Sequence, residues 1–163
     1  MPTENPYTAI ETGENAPDFS LPSDNSGEIT LSALQGQAVV LFFYPKDNTP
    51  GCTREACEFS SDKPAFDAAG AQVFGLSKDS LKKHENFRKK HDLTVPLLSD
   101  ADSDTCEKYG VWKEKKMYGK TFWGIERTTV LIAADGTIAR IWRKVKVPGH
   151  VEEVLAAVKE LTA

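Results

Sequence analysis

The sequence predicts an α/β fold, a mixed central sheet flanked by helices with an N-terminal β-hairpin. Three observations predict it. Val39–Tyr44 is an unbroken apolar run of β-branched and aromatic residues, the pattern of a strand buried on both faces. Val151, Val154, Leu155, Val158 and Leu161 recur at helical spacing and give the tail one apolar face. Between these segments, strand-type and helix-type stretches alternate before a β-hairpin and a last helix, an order that fits a sheet covered by helices on both faces, of thioredoxin type.

The elements follow in order. Residues 1–15 are polar and read as an arm. Phe19 and Leu21, then Ile29 and Leu31, alternate with polar neighbours around the turn-forming Ser23-Asp24-Asn25-Ser26-Gly27, which gives the N-terminal hairpin. After the strand at Val39–Tyr44, a helix is expected from about Pro50, because Thr49 is a good N-cap and proline suits the first helical position. Val73–Leu76 reads as a second buried strand, Leu81–His91 as a charged surface helix, Leu97–Leu98 as a short strand and Ser103–Tyr109 as a short helix. Thr128–Ala133 is a third core strand, joined by a two-residue turn at Asp135-Gly136 to Ile138–Trp142. No repeat, low-complexity tract or linker divides the chain, so residues 1–163 are expected to form a single domain.

Composition narrows the function classes. A formal net charge of -4 gives no general attraction to nucleic acid, and Lys113–Lys120 and Arg140–Lys146 read as solvated faces. The longest apolar runs are strand-sized, so no membrane span is expected. Met1–Tyr7 has neither a basic nor an apolar leader region, which makes the cytoplasm the expected location. Cys52, Cys57 and Cys106 are too few and too unevenly placed for a disulfide scaffold.

The chemistry concentrates between Phe43 and Cys57. Thr49 as N-cap and Pro50 at the first helical position place Cys52 at the third, and the Thr49 hydroxyl is expected to reach the Cys52 amide. A thiol there meets unpaired backbone donors and the positive end of the helix dipole, both of which favour the nucleophilic thiolate. Gly51 leaves room for a small substrate. On an ideal helix the Cα atoms of Cys52 and Cys57 lie roughly 8–9 Å apart, beyond disulfide reach. The pair can bond only if the helix opens, which suits a redox cycle; packing of Cys57 in the core beside Ala56 and Phe59 is the alternative. Zinc is disfavoured, because His84, His91 and His150 make no ligand pair with a cysteine. A dithiol exchange motif would want two residues between the cysteines, where this chain has four.

Pro45, Thr49 and Cys52 match the peroxiredoxin pattern Pro-x-x-x-Thr-x-x-Cys, and the run from Phe43 to Thr53, with Glu55, Ala56 and Cys57, resembles the bacterioferritin comigratory protein or peroxiredoxin Q subfamily. The resemblance continues through Gly75–Ser80, Gly124–Thr129 and Lys144–His150 and covers nearly all of the chain after Ala16. It implies a thioredoxin-like fold and a cofactor-free peroxidase acting on hydrogen peroxide and small organic hydroperoxides. Cys52 would be the peroxidatic cysteine and Cys57 the resolving one, joined in an intramolecular disulfide that thioredoxin or a similar dithiol protein reduces. The family's arginine falls on Arg127, which would hold the thiolate and donate to the peroxide oxygens. Glu55 would orient Arg127 or a neighbouring donor, and Pro45 and Thr49 would shape the pocket.

Other residues are read more plainly. Cys106 has no counterpart in the motif and is expected to be a packed free thiol. His84 and His91 are expected to be solvated, and His150 to cap or flank the last helix. Tyr44, Phe122 and Trp123 are candidates for the wall of the site. No nucleic-acid or membrane partner, no metal and no organic cofactor are expected, and the protein is expected to be a monomer. A protein thiol–disulfide oxidoreductase and a redox-sensing or holdase module are the competing classes. Insulin reduction without peroxide turnover would select the first, and stoichiometric oxidation without turnover the second.

Overall fold

The computed structural model describes residues 10–163. Its centre is a five-stranded mixed sheet. β3 (Ala38–Phe43) pairs in parallel with β4 (Ala71–Ser77), which pairs in parallel with β5 (Leu97–Ser99). On its other side β3 runs antiparallel to β8 (Thr128–Ile132), and β8 to β9 (Ile138–Trp142). The expected mixed sheet is therefore present. So is the N-terminal hairpin, β1 (Ser20–Pro22) with β2 (Glu28–Thr30).

β3 is the middle strand and every residue of it is buried. Its side chains alternate between two cores, as a pleated strand requires. Ala38, Val40, Phe42 and Tyr44 face one cluster, with residues of α1 (Pro50–Ser61), α2 (Lys63–Ala68), α3 (Leu81–His91) and α5 (His150–Thr162). Val39, Leu41 and Phe43 face the other, with the N-terminal hairpin and the short α4 (Thr105–Lys108). Helices thus cover both faces, but unequally: the longer ones sit on the Phe42 side. There Phe42 stacks on Phe59 of α1, with ring centroids 4.5 Å apart.

Several local expectations need correction. The expected arm of residues 1–15 is part of the fold from residue 10 onward, and residues 1–9 lie outside the described residues. Ile10 is already buried, the Gly13 amide donates to Ile138 O and Asn15 bridges to Thr137. The β8–β9 turn is longer than two residues. The Ala133 amide donates to Thr137 O around Ala134-Asp135-Gly136, and only Gly136 takes positive φ. Between α4 and β8 stands a hairpin that the sequence reading missed, β6 (Trp112–Met117) with β7 (Lys120–Ile125). Lys113–Lys120 is therefore largely strand, turning at Tyr118-Gly119, both with positive φ.

Candidate active site

β3 ends at Phe43, and the chain turns through residues 44–49 into α1. Thr49 is the N-cap of α1, with extended φ and ψ of -96° and 152°, and Pro50 occupies the first turn. The Thr53 amide donates to Thr49 O at 2.8 Å, the first turn of the helical ladder. Cys52 therefore stands at the third helical position, as expected. The Thr49 hydroxyl does not cap the helix, however. It donates to Lys46 O at 2.8 Å, closing the loop upon itself. The orphan amides of the first turn are thus left without a side-chain acceptor from Thr49 and keep their positive potential for the thiol.

Register brings Arg127 to this point. In the antiparallel β3–β8 pair, Phe43 lies opposite Thr128. The residue before β8 is thereby placed beside the segment that leaves β3. The backbone around it is anchored, with the Glu126 amide donating to Val111 O at 2.8 Å and the Val145 amide to Arg127 O at 3.0 Å. The guanidinium makes two contacts with α1: Nη2 donates to Cys52 Sγ at 3.3 Å and Nη1 donates to Glu55 Oε1 at 2.8 Å. Gly51 permits this approach, since a Cβ there would lie 3.1 Å from Arg127 Nη2.

Glu55 is fully buried. Burial raises its carboxyl to about 7, against the opposing pull of Arg127. Its Oε2 has no hydrogen-bond partner among the described residues. One guanidinium therefore faces two groups that can each carry a negative charge, and a proton on Glu55 leaves more of the positive charge of Arg127 to the Cys52 sulfur.

The other sequence-derived residues fall into place as follows. Cys57 lies on the same regular helix as Cys52 and is half-buried against the Phe59 core, with its thiol raised by burial and then by Glu58. All three cysteines are free. Cys106 is buried in the opposite core, and burial, with Asp100 beside it, keeps it a thiol. Pro45 is half-buried in the loop. Tyr44 is fully buried in the core cluster that also holds Cys52, and its hydroxyl donates to Asp47 Oδ1 at 2.6 Å. Phe122 is exposed and Trp123 half-buried on the β6–β7 hairpin.

His84 departs from the expectation of a solvated residue, and His150 does not depart from its own. His84 is fully buried, its Nδ1 2.7 Å from Asp47 Oδ2. His150 begins α5 as expected, but it is buried, lies 2.8 Å from Thr129 Oγ1 and is lowered by burial to about 4, so it is neutral at physiological pH. The sequence reading also missed Lys115. It is half-buried on β6, its stem alongside Gly124, and its ammonium is held below the usual lysine range by burial and then by Arg127, with Cys52 pulling the other way. The Tyr118-Gly119 turn signal could have exposed this hairpin.

A strongly held thiol at a helix N-terminus, with a guanidinium on its sulfur, is suited to nucleophilic attack on a small electrophile. Comparison with known proteins points the same way. A profile of the AhpC/TSA family matches residues 12–141. Peroxiredoxin Bcp of Xanthomonas campestris is 49% identical over 146 residues, covering 88% of this chain and 91% of the relative. Peroxiredoxin Bcp of Bacillus subtilis is 45% identical over 153 residues, covering 94% and 98%. The solved structure of the Xanthomonas campestris bacterioferritin comigratory protein, studied for alkyl peroxide reduction, superposes with a TM-score of 0.87 at 43% identity, over 94% of this chain and 100% of that one.

Proposed function

This chain belongs to the AhpC/TSA family as a thiol peroxidase of the peroxiredoxin Bcp kind, and we propose that Cys52 is its peroxidatic residue and Cys57 its resolving residue. The observation that carries the assignment of Cys52 is the 3.3 Å contact from Arg127 Nη2 to its sulfur at the start of α1. Of the three cysteines, Cys52 alone accepts a hydrogen bond from a cationic side chain among the described residues.

The reaction runs in three stages. The Cys52 thiolate attacks the terminal oxygen of the hydroperoxide, the O–O bond breaks, and the departing oxygen leaves as water or an alcohol after taking a proton. Arg127, charged throughout, stabilises the negative charge as it moves from sulfur to oxygen. Cys52 is left as a sulfenic acid. The Cys57 sulfur then displaces hydroxide from that sulfenic acid, giving water and an intramolecular disulfide. A dithiol protein such as thioredoxin returns two electrons and two protons. Pro45 and Thr49 shape the loop over the sulfur, and Glu55 aims the guanidinium. Burial keeps Cys57 a thiol while α1 is intact, so it becomes reactive when the helix opens. Hydrogen peroxide and small organic hydroperoxides are the proposed substrates, a monomer the proposed state and the cytoplasm the proposed location. No helix among the described residues is long and apolar enough to cross a membrane.

The test is oxidation of a dithiol reductant driven by the purified protein and hydrogen peroxide. Cys52→Ser should abolish turnover and Cys106→Ser leave it nearly intact. Turnover surviving in Cys52→Ser, or lost in Cys106→Ser, would reassign the nucleophile.

A further inference from the structure

The loop from Tyr44 to Pro50 has little backbone pairing of its own, and Asn48 within it takes a left-handed φ of 61°, which costs a non-glycine residue energy. Among the described residues, the hydrogen bonds that tie residues 45–48 to other elements all run through Asp47. Its amide donates to Asp79 Oδ2 at 2.8 Å. Its Oδ1 accepts from the Tyr44 hydroxyl at 2.6 Å, and its Oδ2 lies 2.7 Å from His84 Nδ1. On the far side of the ring, His84 Nε2 lies 2.9 Å from the Leu98 carbonyl oxygen.

The protonation state follows from these partners. A carbonyl oxygen only accepts, so Nε2 carries a hydrogen. Asp47 Oδ1 accepts the tyrosine hydrogen, and an ionised Oδ2 also accepts, so Nδ1 carries a hydrogen as well. His84 is then an imidazolium wedged between two acceptors, fully buried and charge-compensated by Asp47. Asp79 belongs to the same cluster, but its Oδ2 is already engaged by the Asp47 amide and the Ser77 hydroxyl, and Lys83 approaches its Oδ1 at 4.0 Å. The proton on His84 supplies the positive charge that holds the cluster together.

We propose that the Asp47–His84 pair is a positioning clamp of the peroxidatic site, fastening the loop before α1 to α3 and so fixing Thr49 and the helical turn that carries Cys52. The consequence for catalysis rests on the peroxidatic role of Cys52; the clamp itself does not. It would mark the point at which opening of α1 stops, leaving residues up to Asp47 in place while the segment beyond them moves. The groups that face His84 are Asp47, Tyr44 and, through the cluster, Asp79 and Lys83. Burial pulls the imidazole down, but the hydrogen bond and charge of Asp47, the Leu98 carbonyl and Asp79 outweigh it, and the native value is raised. The clamp is therefore fully present below the ordinary histidine value of about 6.5 and is lost as pH rises through the raised native one.

The experiment uses reduced protein, in which hydrogen exchange reports the clamp whether or not Cys52 turns over peroxide. Exchange in residues 47–54, corrected for intrinsic rates, should quicken about tenfold in His84→Asn while β4 keeps its protection. In the parent this protection should decline as pH rises through the titration of His84; in the variant it should be low and flat. Nitrogen NMR of the parent should find both imidazole nitrogens protonated at neutral pH. Asp47→Asn, which keeps neutral hydrogen-bonding groups in place, should reproduce the pH-independent behaviour if His84→Asn does not fold. A neutral imidazole at neutral pH, unchanged exchange in residues 47–54, or a loss that is equal at every pH would each overturn the clamp.

Discussion

Replacing Glu55 by glutamine should change how the protein's stability depends on pH. The carboxyl is fully buried and raised from its ordinary 4.5 to about 7. Between those values the native state holds a proton that the unfolded chain has released. Stability must therefore fall as pH rises through this window, because the native state binds more protons there. The interval corresponds to roughly 3 kcal/mol at about 1.4 kcal/mol per pKa unit. The glutamine variant has nothing to titrate at this position, so relative to the parent it should gain about that much between pH values of roughly 5 and 8. For a chain of this length the relative gain in Tm is on the order of 6–12 °C. Glutamine also leaves a buried amide hydrogen to satisfy, a cost that is the same at every pH, so the measured quantity is the slope and not the absolute stability. Parent and variant would be unfolded by denaturant and by heat across that range. Subtracting one curve from the other removes the contributions of His84 and His150, which titrate in both. A parent-to-variant difference that stays constant with pH would refute the reasoning.

The remaining predictions concern the reaction. Arg127→Gln removes the donor at 3.3 Å from Cys52 Sγ and should lower the rate constant with hydrogen peroxide by roughly a hundred- to a thousandfold, as loss of a preorganised donor does elsewhere; stopped-flow oxidation measures it, and an unaltered rate would remove Arg127 from the mechanism. Lys115→Met should slow the same step by roughly three- to tenfold through loss of a nearby positive charge, whereas Lys116→Met, on the opposite face of the hairpin, should leave it unchanged; equal effects would mean that only overall charge matters. Oxidation to the disulfide should lower hydrogen-exchange protection across Gly51–Ser60, since Cα atoms roughly 8–9 Å apart on a helix must close to about 4.4–6.8 Å. Equal protection in both redox states would contradict that opening, and a disulfide mapped to Cys106 would remove the resolving role from Cys57.

What the sequence made legible was local. Thr49, Pro50 and Cys52 lie within four positions, and the signals that start a helix place the thiol without any knowledge of the sheet. Val39–Tyr44 announced the central strand because burial on both faces leaves no polar alternation. Arg127 is different: it reaches Cys52 from 75 residues away, through the pairing of Phe43 with Thr128, and no local pattern encodes a register. Only the resemblance to a family pointed to it. Charge counting misled at His84. α3 presents few apolar residues, so its core-facing side, His84 and Phe87 three residues apart, was hidden in a polar stretch. Trp112, Met117, Phe122 and Trp123 do not alternate cleanly with polar neighbours, and the β6–β7 hairpin was lost for that reason, with Lys115 upon it.

The stacking of Phe42 on Phe59 couples electrochemistry to packing. Phe59 lies on α1, two residues beyond Cys57, and Ala56 beside it is also fully buried. Bringing the two sulfurs together disturbs this part of the helix, so the free energy of forming the disulfide includes whatever core contact is given up. For a two-electron couple, about 1.4 kcal/mol of such contact is worth about 30 mV. The reduction potential of the dithiol is thus set partly by aromatic rings that never meet a peroxide. Because burial of apolar surface carries a heat-capacity change, that potential should also vary with temperature in a curved way. Trimming Phe59 to leucine offers a way to retune it without altering either cysteine.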